Sequence, residues 1–330
     1  MKRILSLLIS LSVLLALTAC GGTEPKEETG PHRLKVVATV FPAYDFARAA
    51  GGEWADVTLL LPPGAETHSY EPTPTDILAV QECDLFLCLG GESDAWVDTI
   101  LSAVEPKGHV LRMMDCVELL EETVVEGMQT LPGHDHSHEE EGDHDHGSEG
   151  LGAVMEMDEH VWTSPRNAAA VTRAVGEALA EIDGANADAY RANAAIYAGE
   201  LEDLDGRFET LFAQADHPVM VFGDRFPLRY FVERYGVEYY AAFPGCSTQT
   251  EPSAATVAFL TEKVEREQIG TIWYIEFSNH LVADSIAEAA GAQTAMFHTC
   301  HNVTKAEMDG GATYLSLMEG NLERLQAAFS

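Results

Sequence analysis

Between residues 188 and 213, Tyr190, Ala194, Tyr197, Leu201, Leu204, Phe208 and Leu211 recur at alternating steps of four and three. That spacing places them along one side of a single α-helix. At 1.5 Å per residue the helix is a rod of roughly 40 Å. A rod with one continuous apolar seam must be covered along its whole length. The remainder of this chain supplies the cover on both sides, so no second chain is needed and a monomer is expected. The helix is read as a rigid connection, over residues 188–214, between two lobes.

The same rhythm occurs on each side of it. In the first half, residues 34–40, 57–61, 84–89 and 109–113 read as strands, with helices expected over 44–50, 73–81 and 95–103. After the Ala-rich helix at 167–182 and the long rod, strands are expected at 218–222, 237–242, 271–276 and 294–297. Helices fall between and after them, at 228–234, 254–265, 281–290 and 314–328. Apolar strands alternating with helices indicate parallel sheets covered on both faces. The fold class expected is therefore α/β, with two lobes, each a mostly parallel sheet with flanking helices, joined by one long rigid helix. The lobes are assigned to residues 34–187 and 215–330. In open sheets of this kind ligands bind beyond the carboxyl ends of the strands.

The beginning of the chain addresses its location. Lys2 and Arg3 precede an apolar run over 4–17 that is short for a bilayer span and fits a secretory signal. It ends Leu17-Thr18-Ala19-Cys20-Gly21, which resembles a bacterial lipobox. Residues 1–19 are expected to be cleaved, Cys20 to be lipidated, and residues 20–33 to act as a tether; several acyl chains would make the anchoring stable. The protein is then extracytoplasmic and fixed to the cell membrane. A formal net charge of −35 argues against nucleic acid as a partner. Five further cysteines, widely spaced, are no disulfide framework. Cys83 and Cys88 flank an apolar run and are expected as buried thiols, while Cys246 and Cys300 stand in loop-like contexts where a pairing is conceivable.

Residues 133–147 read Gly-His-Asp-His-Ser-His-Glu-Glu-Glu-Gly-Asp-His-Asp-His-Gly. The segment around them, about 130–152, has too little apolar surface to offset the entropy of ordering and is expected as a loop. His134, His136, His138, His144 and His146 offer imidazoles among carboxylates, a donor set for zinc, nickel, cobalt or copper. They are assigned as accessory metal sites.

Two further histidines lie in more constrained surroundings. His68 and Tyr70 follow a strand inside the run Pro62 to Asp76, where four prolines restrict the backbone. His160 lies in Asp158-Glu159-His160-Val161-Trp162-Thr163-Ser164-Pro165, with Ser164 a candidate helix cap and Pro165 at the first helical position. Asp158 is placed to orient the imidazole. The sequences HSYEPTPTDI and DEHVWTSPRNA resemble the two histidine motifs of the zinc/manganese-type substrate-binding lipoproteins of ABC importers. With the lipobox, the acidic His loop and the long helix, the resemblance covers nearly the whole chain.

That resemblance implies a metal held in the cleft between the lobes, with His68 and His160 as ligands from the first. In the second lobe, the position at which family members carry His or Glu falls on Arg225, which cannot ligate a cation, and Asp224 beside it is the nearest competent group. The family's last ligand follows the final strand, where His298 stands. Ligands His68, His160, His298 and Asp224 are therefore expected, with Glu276, His301 and Cys300 as alternatives. Three imidazoles with a carboxylate suit Zn²⁺, whereas Mn²⁺, the alternative cargo, favours more oxygen ligands. The function implied is capture of Zn²⁺ and its delivery to an ABC-transporter permease with its ATPase, without catalysis. Two other readings are a surface metallohydrolase, for which neither an HExxH helix nor a nucleophile elbow is present, and an adhesin-like lipoprotein with a structural metal.

Overall fold

The computed structural model describes residues 33–65, 70–91, 94–104, 106–128, 157–245 and 251–329. The expected signal peptide, Cys20, the loop histidines, His68 and Cys246 lie outside the described residues.

The first sheet comprises β1 (Leu34–Ala38), β2 (Ala55–Leu59), β3 (Leu85–Cys88) and β4 (His109–Arg112), in the order β2-β1-β3-β4. All its pairings are parallel. Around it lie α1 (Phe41–Gly51), α2 (Pro74–Glu82) and α3 (Ala95–Ala103). Two long helices follow, α4 (Pro165–Ile182) and α5 (Ala187–Gln214). The second sheet, β5 (Val219–Phe226), β6 (Glu238–Pro244), β7 (Thr271–Ile275) and β8 (Gln293–Phe297), has the equivalent order β6-β5-β7-β8 and is again parallel. Its helices are α6 (Arg229–Tyr235), α7 (Ala254–Glu267), α8 (Leu281–Ala290), α9 (Lys305–Asp309) and α10 (Tyr314–Ala328). The expected α/β class and its two parallel-sheet lobes are present.

Local chemistry explains where the elements depart from the expected bounds. Helix α1 starts three residues early because Pro42 occupies its first turn, where a missing N–H leaves no bond unmade. Helix α9 was not anticipated, although Thr304 and Glu307 form a capping box whose Thr-x-x-Glu signal stands in the sequence. Strand β5 runs four residues further than expected, with an irregularity between Phe222 and Arg225 that carries the chain to the end of the sheet.

Helix α5 packs on α4, α1, α10 and α6. Its buried face comprises Tyr190, Ala194, Ala198, Leu201, Leu204, Phe208 and Phe212, while Tyr197 and Leu211 are half-buried. Tyr197 keeps its hydroxyl satisfied by donating to Asp45 Oδ2 at 2.5 Å. One apolar cluster includes side chains of the first sheet, α4, α5 and the second sheet. Each fully buried Leu or Phe in it contributes about 1.5–3 kcal/mol by leaving water. Asp205, buried in α5, accepts from Arg234 and from the Tyr235 hydroxyl, which ties the rod to α6.

Candidate metal centre

The carboxyl ends of both sheets carry the residues singled out above. On the first lobe, His160 precedes a single 3₁₀ turn, Val161–Thr163, and then α4. Ser164 caps α4 by accepting the Asn167 N–H at 3.4 Å, with Pro165 next in line, so the short turn is held between two anchored points. His160 is 2 % exposed. Asp158 Oδ1 accepts its backbone N–H at 2.8 Å and lies 3.2 Å from Nδ1. This arrangement holds the proton on Nδ1 and leaves Nε2 with its lone pair, the form in which imidazole binds a metal. Burial opposes the charged ring, but Asp158, followed by Glu159 and Glu122, outweighs it and raises the pKa above the ordinary 6.5.

Asp158 is itself fixed from the other lobe. The Tyr230 hydroxyl, at the start of α6, donates to the Asp158 carbonyl at 2.7 Å and accepts the Leu120 N–H at 3.1 Å. The Asp158 N–H donates to the Leu120 carbonyl at 2.8 Å.

On the second lobe, Glu276 directly follows β7 and is 7 % exposed. Its carboxylate accepts from Thr299 N–H at 2.7 Å, Thr299 Oγ1 at 2.5 Å and His301 N–H at 3.3 Å. The intervening Cys300 has φ of 63°, a left-handed conformation that costs a non-glycine residue about 1–2 kcal/mol. Its N–H donates to His298 Nδ1 at 3.0 Å. The turn after β8 thus sends the N–H groups of residues 299 and 301 to Glu276 and that of residue 300 to His298.

The same turn is bonded across to the first lobe. Trp162 Nε1 donates to the Thr299 carbonyl at 2.8 Å, and Phe41 N–H to the His301 carbonyl at 3.3 Å. Asn302 Nδ2 donates to the carbonyls of Pro62 at 2.7 Å and Ala65 at 2.9 Å.

Between these pieces lies a cavity of about 40 Å³, room for little more than an ion with its ligands, lined among others by Ala65, His160, Arg225, Glu276 and His301. The His160 and His301 rings stand edge to face with centroids 6.0 Å apart. Two imidazoles on one tetrahedral zinc, with Zn–N of about 2.05 Å, have centroids about 5 Å apart. The observed pair meets that spacing with a shift of about 1 Å. Gly245, at the end of β6, closes the far side: a Cβ there would meet Phe226 O at 3.0 Å, Pro227 Cα at 3.1 Å and His160 Cε1 at 3.4 Å.

Of the residues expected as ligands, His160 lines the cavity, as do the alternatives Glu276 and His301. The chain reaches its rim at Ala65, three residues before His68. Asp224 and His298 are not among the lining residues. The Asp224 carboxylate instead accepts the N–H groups of Arg225 at 2.8 Å and Ile275 at 3.4 Å. His298 Nε2 faces Glu307 Oε1 at 3.6 Å on α9, beyond hydrogen-bonding distance. Cys300 is a free, fully buried thiol, and burial followed by the charges of Glu276 and Asp45 holds it protonated, well above the ordinary value. Among the described residues it forms no disulfide, and Cys83 and Cys88 are buried free thiols as expected. No group of three or more ligating side chains stands ready around an ion among the described residues.

Two parallel-sheet lobes joined by a long helix, with the buried His160 and half-buried His301 imidazoles meeting between them, define a bilobal solute-binding protein of the metal-binding kind. The chain belongs to the ZnuA family, described as zinc-uptake complex component A, periplasmic, whose pattern matches residues 36–328. It is 32 % identical over 326 residues to the zinc-binding lipoprotein AdcA of Streptococcus pneumoniae (strain ATCC BAA-255 / R6), covering 99 % of this chain and 61 % of that protein. The chain therefore spans less than two thirds of that relative. It is 29 % identical over 327 residues to the high-affinity zinc uptake system protein ZnuA of Bacillus subtilis (strain 168), covering 98 % of this chain and 97 % of that one. The crystal structure of the Zn(II)-bound ZnuA-like domain of S. pneumoniae AdcA superposes with a TM-score of 0.71 at 26 % identity, covering 90 % of this chain and 99 % of that one.

Proposed function

We propose that this protein captures Zn²⁺ in the cavity between its lobes and hands it to an ABC importer. The observation that carries the reading is the approach of the His160 and His301 rings to 6.0 Å, one imidazole from each lobe, in a cavity that Glu276 also lines. His160, His301 and Glu276 are the proposed ligands, with His68 as the fourth, a three-nitrogen, one-oxygen set that suits tetrahedral zinc. Arg225 lines the cavity where the family resemblance places a ligand, and its guanidinium has no lone pair to give. His301, from the turn after β8, takes over the part of the second-lobe imidazole. The relatives named for zinc binding and zinc uptake support the choice of cargo.

The ion is assigned as cargo, in line with relatives named for zinc binding and zinc uptake. Lipidation at Cys20 would hold the protein outside the membrane beside a permease and its ATPase, with the tether giving reach. Among the described residues no helix is long and apolar enough to cross a membrane. The histidines between 134 and 146, five imidazoles among carboxylates, serve as weaker, faster-exchanging collectors.

Titration calorimetry with Zn²⁺ is expected to find one tight site plus weaker ones, and deletion of residues 133–150 to remove only the weaker set. Loss of the tight site on that deletion would overturn the division of labour. Anomalous scattering at the zinc edge from loaded crystals identifies element and ligands together, and a metal without contact to His160 would sink the assignment.

A further inference from the structure

His298 is a buried histidine that the proposed metal site does not use. We propose that it is a positioning residue: its ring holds the turn at Cys300 in the conformation that presents His301 to the cavity. This inference rests on the zinc-site reading above and assigns His298 a part in it other than ligation.

Three observations point to this role. The first is the bond from Cys300 N–H to His298 Nδ1 at 3.0 Å. A nitrogen that accepts there has its lone pair committed, so it cannot also face a metal. The neutral ring then carries its proton on Nε2, and that atom looks away toward Glu307 at 3.6 Å. Second, the residue so held is Cys300, whose φ of 63° is the left-handed region that a side chain resists. An acceptor two residues upstream that captures the N–H of the reversing residue is how Asn and Asp side chains stabilise turns. Here an imidazole takes that part. Third, His298 is itself anchored: Asn321 on α10 accepts its N–H at 2.8 Å and donates to its carbonyl at 2.7 Å. The support is therefore stiffer than the turn it supports.

The reversal at Cys300 brings Thr299 N–H and His301 N–H to the same carboxylate, Glu276. If Cys300 relaxed to an extended or right-handed backbone, His301 N–H would leave Glu276 and its ring would leave the face of His160. Both proposed second-lobe ligands thus meet at a turn that the N–H···Nδ1 bond holds together with the bonds of Trp162 to the Thr299 carbonyl and of Phe41 to the His301 carbonyl.

The test uses His298→Leu, which removes the acceptor, and His298→Asn, whose Oδ1 can accept the same N–H two residues on but cannot reach the place of Nε2. His301→Ala serves as the reference for loss of a ligand. Zn²⁺ affinity of the full chain is measured by competition with a chelator, and the coordination by the visible absorption of the first equivalent of Co²⁺. His298→Leu is expected to weaken the tight site about 10–100-fold, as changes to groups that orient ligands do, and to alter the cobalt bands. His298→Asn is expected to recover most of the affinity and the wild-type bands. Equal loss in both variants, with the bands of His301→Ala, would mean that His298 itself binds the metal and would overturn the proposal. A lowered melting temperature in His298→Leu with unchanged affinity and bands would reduce the residue to a packing element and also overturn it. If His301→Ala leaves both readouts unchanged, the ligand set fails, and the role of His298 with it.

Discussion

The two sides of the cavity are built on different principles. His160 is oriented from close by in the chain: Asp158 two residues upstream fixes its tautomer and Ser164 four residues downstream caps the following helix. Glu276 and His301 are oriented mainly from far away, through bonds spanning 23 to 25 residues and a turn anchored by Asn321, with a local bond from Cys300 N–H to His298 inside that turn. A locally built ligand survives in the sequence as a motif. One built by tertiary contacts leaves no comparable trace.

The comparison is most directly broken at the ligands. His160→Ala and His301→Ala are expected to weaken the tight zinc site by more than the roughly 10–100-fold of an outer-shell change, and by similar factors, because each removes one donor. Calorimetry showing that only His160→Ala matters would leave the second lobe without its proposed role. The shared core sets the next largest effect. Phe208→Ala on α5 is expected to cost about 3–5 kcal/mol and to shift a single urea transition. Two separated transitions would show that the lobes fold independently of the rod.

A third difference concerns Asp94, which lies at the carboxyl end of β3 in the first lobe and is 3 % exposed. Its burial, only partly offset by the Leu89 and Gly90 N–H groups, pushes its pKa up to about 6 from 3.8. The sign follows from proton counting. Between pH 3.8 and 6 the unfolded chain gives up this proton while the folded one keeps it, so this group's contribution to stability falls as pH rises through that window. At about 1.4 kcal/mol per pH unit, the change approaches 3 kcal/mol. Asp94→Asn, neutral throughout, is expected to gain stability relative to wild type at pH 8 and not at pH 3.5, read by denaturant unfolding at both pH values. An unchanged difference between the two pH values would remove Asp94 from the account. The smallest effect is expected at Gly245→Ala, whose added methyl presses on Phe226, Pro227 and His160; overpacking of this kind costs about 1–3 kcal/mol, seen here as a several-fold weaker zinc site.

Much of the architecture was legible because its signals are periodic. The seam of α5, the two α/β halves and the Ser164-Pro165 helix start are local patterns, and they appear at the expected places. The position of His160 at the cavity was legible for the same reason. Which of Asp224, Glu276, His298 and His301 line the cavity was not, since all four lie near the carboxyl ends of strands of one sheet and differ only in which neighbour claims them. Backbone N–H groups hold Asp224, Cys300 occupies the His298 ring, and the turn at Cys300 presents His301. A left-handed residue that is not glycine is invisible to a reading based on composition and spacing.

Asn302 has a consequence for unloading. Its amide grips the carbonyls of Pro62 and Ala65 on the opposite lobe, one residue after His301 in the chain. A permease that drew the lobes apart would pull on the stretch of backbone that carries the proposed zinc ligand His301. Each of those bonds contributes about 0.5–1.5 kcal/mol, small enough to yield to a docking partner and large enough to resist thermal opening when summed with its neighbours. Parting the lobes and surrendering the ion then become one mechanical event.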